Sequence, residues 1–171
     1  GEYVVDVWWQ AEGNQYGGCG QFQYDSNSAA NFQATFTILS EALSLKGIID
    51  FSVPSAGNDG KAIHVVANAD ISDLSIFGLG VANNGLGSDG MEYAFPSMAV
   101  SAGDDILVVR SSTAMESYFG ACYGGFEHVL AAGHAISQNG DDAIELFESS
   151  TVIETFGDVN VDGTGEVWEY L

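Results

Sequence analysis

Positive charge is scarce in this chain. Its 24 acidic residues face only three basic ones, Lys46, Lys61 and Arg110, which gives a formal net charge of −21. Nucleic-acid binding depends on clustered lysine and arginine, and anionic membranes attract the same residues, so the charge excludes both as partners. Self-repulsion of this size destabilises a compact fold unless ions screen it. The composition therefore favours a secreted or cell-surface protein in saline or calcium-rich surroundings.

Long apolar runs are also absent. No stretch approaches the roughly 18 apolar residues that would indicate a membrane-spanning helix, so we expect no membrane insertion. The 171 residues are nevertheless 46% hydrophobic, which is enough to bury one substantial core. We therefore expect a single globular domain with additional segments.

Cysteine is limited to Cys19 and Cys122, which both lie in glycine-rich segments. Neither has a neighbouring cysteine or histidine at the spacing of metal ligands. In an oxidising compartment, a disulfide between them would close a long loop and contribute on the order of 4 kcal/mol in the chain-entropy model. We predict that the two cysteines pair.

Recognised catalytic motifs are missing as well. His64, His128 and His134 fit no zinc-ligand spacing such as HExxH, and no GxSxG sequence is present. The acidic doublets Asp104-Asp105 and Asp141-Asp142 precede predicted strands, on which adjacent side chains point to opposite faces. Such doublets are poorly placed to act as an acid and base pair, so we expect no enzymatic activity.

The clearest chemical pattern is DVNVDGTGEVWE at residues 158–169, whose oxygen-bearing side chains have the spacing of a calcium-binding loop. The predicted ligands are Asp158, Asn160, Asp162, Thr164 through its carbonyl, and Glu169. Gly163 is expected to allow the sharp turn, and Trp168 to lock the loop onto the fold. The flanks are typical of strands, so we expect a calcium loop between strands rather than an EF-hand. Alternatively, Asp, Asn and Gly serve here only as turn residues.

A second acidic turn precedes a predicted buried strand. In NGDDAIEL, the carboxylates of Asp141 and Asp142 are placed to accept backbone N–H bonds or to join a cation. Glu145 should point away from Ile144, because side chains alternate along a strand. We expect Glu145 to face solvent.

Periodicity predicts an all-β fold. Alternating or short apolar segments are separated by turns rich in Gly, Asn and Asp, which favours a β-sandwich. One short helix is predicted at Thr113–Phe119, with Ser112 as its N-cap and Gly120 at its end. A second helical turn is predicted at Ile71–Leu74. The predicted strands are residues 3–9, 33–39, 45–51, 62–66, 91–95, 106–110, 126–130, 143–147 and 152–156.

The first predicted strand, Tyr3–Trp9, has features of an interaction segment. Trp8 and Trp9 are sequential, so one of them should face outward or into a partner. An exposed tryptophan is a common anchor at protein interfaces and against sugar rings. The strand is also able to add to a sheet edge, either in its own domain or in a neighbouring copy, which would build a filament.

Three stretches of the chain carry a family resemblance. KAIHVVANADISDLSIFGLGVANNG, NGDDAIELF and FGDVNVDGTGEVWEY make residues 45–170 similar to the lamin tail domain, in its secreted marine-microbial form. The resemblance implies an immunoglobulin-like β-sandwich without a catalytic centre, used as an accessory or surface module. It divides the chain into an N-terminal strand-rich extension, residues 1–44, and a lamin-tail-like β-sandwich, residues 45–171.

Together these patterns predict a non-catalytic extracellular structural or adhesive module stabilised by calcium. One alternative is a homopolymer subunit that assembles by N-terminal strand exchange. The other is an accessory carbohydrate-binding or targeting domain of a secreted hydrolase, with glycans as partners.

Overall fold

Strands dominate the computed structural model, which describes residues 42–53 and 57–170. The eight strands of this part are β1 (Leu43–Val53), β2 (Gly57–Ala67), β3 (Phe77–Ala82), β4 (Tyr93–Ala94), β5 (Asp105–Val109), β6 (His128–Ala131), β7 (Ala143–Glu148) and β8 (Thr151–Phe156). A single α-helix, α1 (Ser112–Phe119), accompanies them, together with short 3-10 segments. The predicted all-β sandwich with one short helix is confirmed at this level for the described residues.

The strands form two four-stranded sheets. The first sheet has the order β1-β2-β5-β6, and the second has the order β4-β3-β7-β8. All neighbouring strands are antiparallel except β5 and β6, which run parallel. A parallel pair requires a crossover connection, and α1 lies within the segment that joins β5 to β6.

The main core lies between the two sheets. Side-chain alternation directs one set of apolar residues from each central strand inward. Each fully buried Val, Leu or Ile stabilises the fold by about 1.5–3 kcal/mol relative to an exposed one. The inward set includes Ile63 and Val65 of β2, Ile106 and Val108 of β5, Leu79 and Val81 of β3, and Ile144 and Leu146 of β7.

A smaller apolar cluster covers the other face of the first sheet. Ala62, Leu107 and Val109 pack there with Met115 of α1, and all four are buried. The helix begins one residue before its predicted start, because the Ser111 side chain, rather than Ser112, accepts the N–H of Ala114 as the N-cap. The helical turn predicted at residues 71–74 is instead a 3-10 segment, Leu74–Ile76, capped by Asp73.

The outer face of the second sheet is also covered, which the sequence did not indicate. All six residues of β3 are buried, and this strand was not predicted. A Cβ on Gly80 would collide with the carbonyl of Gly90, so the segment before β4 lies directly on β3. Glu145, on the neighbouring strand opposite Gly80, is only 4% exposed. The prediction that Glu145 faces solvent is wrong, because this face of the sheet is not open to water.

No helix within the described ranges has the length and apolar character that crossing a membrane would need.

Candidate functional site

The predicted calcium loop follows β8 directly. Two of its acidic side chains each accept a hydrogen bond from the backbone two residues ahead. Asp158 Oδ1 accepts the N–H of Asn160 at 2.9 Å, and Asp162 Oδ1 accepts the N–H of Thr164 at 3.0 Å. These are Asx turns, a local conformation that Asp forms readily. The side chains of Asp158, Asn160, Asp162 and Thr164 are all exposed.

The third carboxylate of the loop closes its final turn. Glu169 Oε2 accepts the N–H of Gly165 at 2.8 Å, and Glu169 is itself exposed. Among the described residues, hydrogen bonds engage only one oxygen of each of the three carboxylates, Asp158, Asp162 and Glu169. Each therefore retains an oxygen that is not committed to the protein.

The charge state of the loop favours cations. The backbone N–H of Thr164 and then its side chain hold the pKa of Asp162 below its usual value of 3.8. Hydrogen bonding to a carboxylate stabilises its ionised form. Asp162 is therefore negatively charged at any physiological pH.

The two glycines of the loop differ from the expected pattern. Gly165, not Gly163, adopts the left-handed conformation, with φ of 80°. Gly163 is buried, and a Cβ there would collide with the Trp168 ring and lie 2.6 Å from the Asp141 carbonyl. The prediction that Gly163 supplies the sharp turn is wrong. Glycine is needed at this position because neighbouring groups pack too closely for any side chain.

Trp168 holds the loop against the second sheet. Its ring meets Phe156 of β8 edge to face, with centroids 6.2 Å apart. A Cβ on Gly157 would lie only 2.9 Å from the same ring. The predicted role of Trp168, locking the loop onto the sandwich, is confirmed.

Long-range hydrogen bonds fix the loop from two further sides. The N–H of Gly163 donates to the Asp141 carbonyl at 3.0 Å, and the Thr164 hydroxyl donates to Asp141 Oδ2 at 2.9 Å. On another side, the N–H of Gly87 donates to the Val159 carbonyl at 2.8 Å. The loop is thus attached both to the turn before β7 and to the segment after β3.

Asp142 organises the turn beneath the loop. This residue is 0% exposed, and its two carboxylate oxygens accept the N–H groups of Asn84 and Asn139, each at 2.8 Å. Burial raises the pKa of Asp142, and the two N–H bonds oppose that rise. The prediction that the doublet accepts backbone N–H bonds is confirmed for Asp142.

Across the described part of the chain, no three His, Cys, Asp or Glu side chains converge so as to hold a metal ion. The structure therefore does not bring Asp158, Asp162 and Glu169 together at one point. A calcium ion at this loop would have to draw them together and add the neutral oxygens of Asn160 and Thr164. Carboxylate, amide and carbonyl oxygens are the ligands that calcium prefers, so the donor set fits that ion chemically. Calcium binding remains a prediction.

The remaining predicted site residues are not brought to this loop. Cys122 is exposed, lies in the 3-10 segment Gly120–Gly125, and has no disulfide partner among the described residues. Cys19, Trp8 and Trp9 lie outside the described residues, so the disulfide and the N-terminal contacts remain predictions. Two histidines of the first sheet pair with acidic side chains: His64 with Asp105 at 2.8 Å and His128 with Asp104, just before β5, at 3.1 Å.

Sequence reasoning missed one polar group near the site. Lys61 is 5% exposed, although it is one of only three basic residues in the chain. Lys61 is the first residue of the run KAIHV and lies two residues before Ile63 and four before Val65, which both face inward. Because side chains on the same face of a strand are two residues apart, this spacing could have predicted that Lys61 is buried.

Comparison with protein-family models and with curated proteins found no match for the chain.

Proposed function

We propose that this protein is a non-catalytic extracellular structural or adhesive module, an immunoglobulin-like sandwich of lamin-tail type, and that calcium binding at residues 158–169 stabilises it. The observation that supports the proposal is the state of the three loop carboxylates. Each is exposed and uses one oxygen to order its own backbone. The other oxygen of each is left for a ligand.

Prior ordering of the loop matters energetically. A flexible loop would lose conformational entropy on closing around an ion, and this loss would weaken binding. The Asx turns, the Trp168 contact and the bonds to Asp141 restrict the loop backbone before any ion arrives. The rearrangement left for an ion is to draw together the carboxylate side chains, which do not converge in the described residues. A hard divalent cation would then reduce repulsion in a chain of net charge −21.

Calcium should therefore raise thermal stability. A ligand that binds only the folded state at 100 times its Kd stabilises that state by about 2.7 kcal/mol, which corresponds to about 5–10 °C in Tm for a domain of this size. We expect a rise of this order between chelator and calcium at constant ionic strength. Magnesium at the same concentration should give a smaller rise, because it demands stricter octahedral geometry.

A matched pair of variants assigns the effect to the loop. Asp162→Ala should remove the calcium-dependent rise, whereas Asp89→Ala, at an exposed position outside the loop, should keep it. Equal midpoints in calcium and chelator would refute calcium stabilisation. A full rise in Asp162→Ala would place the ion elsewhere.

We also propose, as a second function, a homopolymer subunit assembled by strand exchange. It is supported by the edge position of β8 in the second sheet, where Val152 is 39% exposed. An edge strand presents unpaired main-chain groups that another strand can join. Light scattering should detect self-association that Val5→Pro abolishes, because proline removes a donor from the predicted N-terminal strand. A strictly monomeric wild-type protein at high concentration would exclude this function.

A further inference from the structure

A pocket of about 420 Å³ lies at the end of the β1–β2 hairpin. Its volume falls within the range of about 300–1,000 Å³ that is typical of small-molecule sites. The lining residues are Asp50, Phe51, Ser52, Asn58, Lys61 and Asn139. None of them belongs to residues 158–169, so this site is independent of the calcium proposal.

The charged groups of the pocket form one tight pair. Lys61 Nζ lies 2.8 Å from Asp50 Oδ1, and it also donates to the Gln138 carbonyl. The Lys61 side chain is 6% exposed and that of Asp50 is 17% exposed. A buried ammonium group is costly unless it is paired, so any ligand that separates these two residues would pay a large penalty.

The pair nevertheless has hydrogen-bonding capacity left. An ammonium group carries three N–H donors, and within the described residues Lys61 uses two of them. Asp50 uses one carboxylate oxygen, Oδ1, in the same set of contacts. One strong donor and one strong acceptor therefore stand side by side in a pocket that a ligand can enter.

This arrangement selects among ligand chemistries. An anion would meet Asp50 and the field of a chain of net charge −21, and a cation would meet Lys61. A zwitterion would gain most by pulling Asp50 and Lys61 apart. Neutral vicinal hydroxyls instead donate to Asp50 and accept from Lys61 while the ion pair stays intact, because a hydroxyl is both donor and acceptor.

The other lining residues match the same chemistry. Asn58 and Asn139 each carry an amide with donors and an acceptor, and Ser52 carries a hydroxyl. Phe51 adds an apolar ring to the lining, and it packs against Tyr118, which is 61% exposed, with ring centroids 4.1 Å apart. A dense set of neutral polar groups beside aromatic surface suits a polyhydroxylated ring with one apolar face.

We propose that this pocket binds a neutral saccharide. Asp50 and Lys61 hold two adjacent hydroxyl groups, and Ser52, Asn58 and Asn139 hydrogen-bond the hydroxyls around them. The proposal goes beyond calcium stabilisation and gives the module a ligand of its own.

Titrations of the full-length ¹⁵N-labelled protein with neutral methyl glycosides test the proposal, with inorganic phosphate and glycine as the anionic and zwitterionic probes. At least one methyl glycoside should shift the amide signals of the lining residues saturably. Phosphate and glycine should leave those signals unchanged. Absence of saturable shifts with every glycoside, or saturation of the same signals by phosphate or glycine, would overturn the proposal.

Variants locate the binding and control for folding. Asp50→Asn should weaken glycoside binding about tenfold, as expected for a lost hydrogen bond to a charged group. Ser52→Ala should weaken it to a smaller extent, and the matched change Ser72→Ala, at an exposed position outside the pocket, should not. Because Ser52 is also exposed, its variant should fold even if Asp50→Asn does not. Wild-type affinity in Ser52→Ala and in any folded Asp50→Asn would refute the assignment. The calcium proposal is judged separately, by the melting shift.

Discussion

Replacement of Asp142 should be among the more destabilising single changes in the described part of the chain. This side chain is completely buried and accepts the N–H groups of Asn84 and Asn139, one on each oxygen at 2.8 Å. The two donors belong to segments 55 residues apart in sequence, from Asn84 to Asn139. Asp142 therefore joins the loop after β3 to the turn before β7.

The structure sets the size of the effect. Asp142→Ala orphans two backbone donors, and each unsatisfied buried group costs about 1–3 kcal/mol, so the loss should be about 2–6 kcal/mol. Asp142→Asn keeps one acceptor oxygen but turns an amide NH₂ toward the other donor, which should cost about 1–3 kcal/mol. The asparagine carries no charge and so avoids the cost of burying one, which is the cause that raises the pKa of Asp142, and its loss should therefore lie near the lower end of that range.

Urea unfolding followed by circular dichroism measures these losses through the midpoint and the m-value. The expected order of stability is wild type, then Asp142→Asn, then Asp142→Ala. Asp89→Asn, an exposed control, should stay within about 0.5 kcal/mol of wild type. The reasoning fails if both Asp142 variants unfold at the wild-type midpoint, or if the asparagine variant is the less stable of the two.

Two further predictions concern packing and pH. Gly163→Ala should destabilise the folded protein by about 1–3 kcal/mol, since the new methyl would collide with the Trp168 ring. The control Gly124→Ala should not, because nothing lies within 4 Å of its Cβ position. Equal urea midpoints for the two variants would contradict this. The N–H of Ser101 and then the side chain of His128 lower the pKa of Asp104 below 3.8. This carboxylate therefore contributes stability above pH 3.8 that is lost as pH falls through its lowered value. The stability advantage of wild type over Asp104→Asn should shrink on acidification, and a constant difference across that window would contradict the assignment.

The sequence predicted strands from alternating or continuous apolar residues and missed β3, in which glycines interrupt the apolar run. β2, β5, β7 and β8 lie where apolar periodicity placed them, within a few residues. β3 has the sequence FGLGVA, and its two glycines are typical of turns rather than of strands. Gly78 and Gly80 are there because Met91 and the Gly90 carbonyl lie directly on the strand, a contact that local pattern does not encode.

In the candidate site, too, the sequence predicted local features and missed contacts between distant segments. The Asx turns of Asp158 and Asp162 span two residues each, so local spacing was enough to anticipate an ordered, oxygen-rich loop. The contacts of Asp141 with Gly163 and Thr164 join distant segments, as does the burial of Lys61 against Gln138. Periodicity carries no information about such pairings, since they depend on how the two sheets and their loops assemble.

The attachment of residues 158–170 to earlier parts of the chain affects the order of events during synthesis. Gly87 and Asp141 leave the ribosome well before the groups that hold them, Val159 and Gly163. A chain grows at about 5–20 residues per second, so about 1–3 seconds separate the emergence of β8, the last strand of the second sheet, from that of residue 170. The final closure must follow emergence of residue 170, whose N–H binds the Gly140 carbonyl. Nascent chains stalled before that point would expose apolar surface and be prone to aggregate.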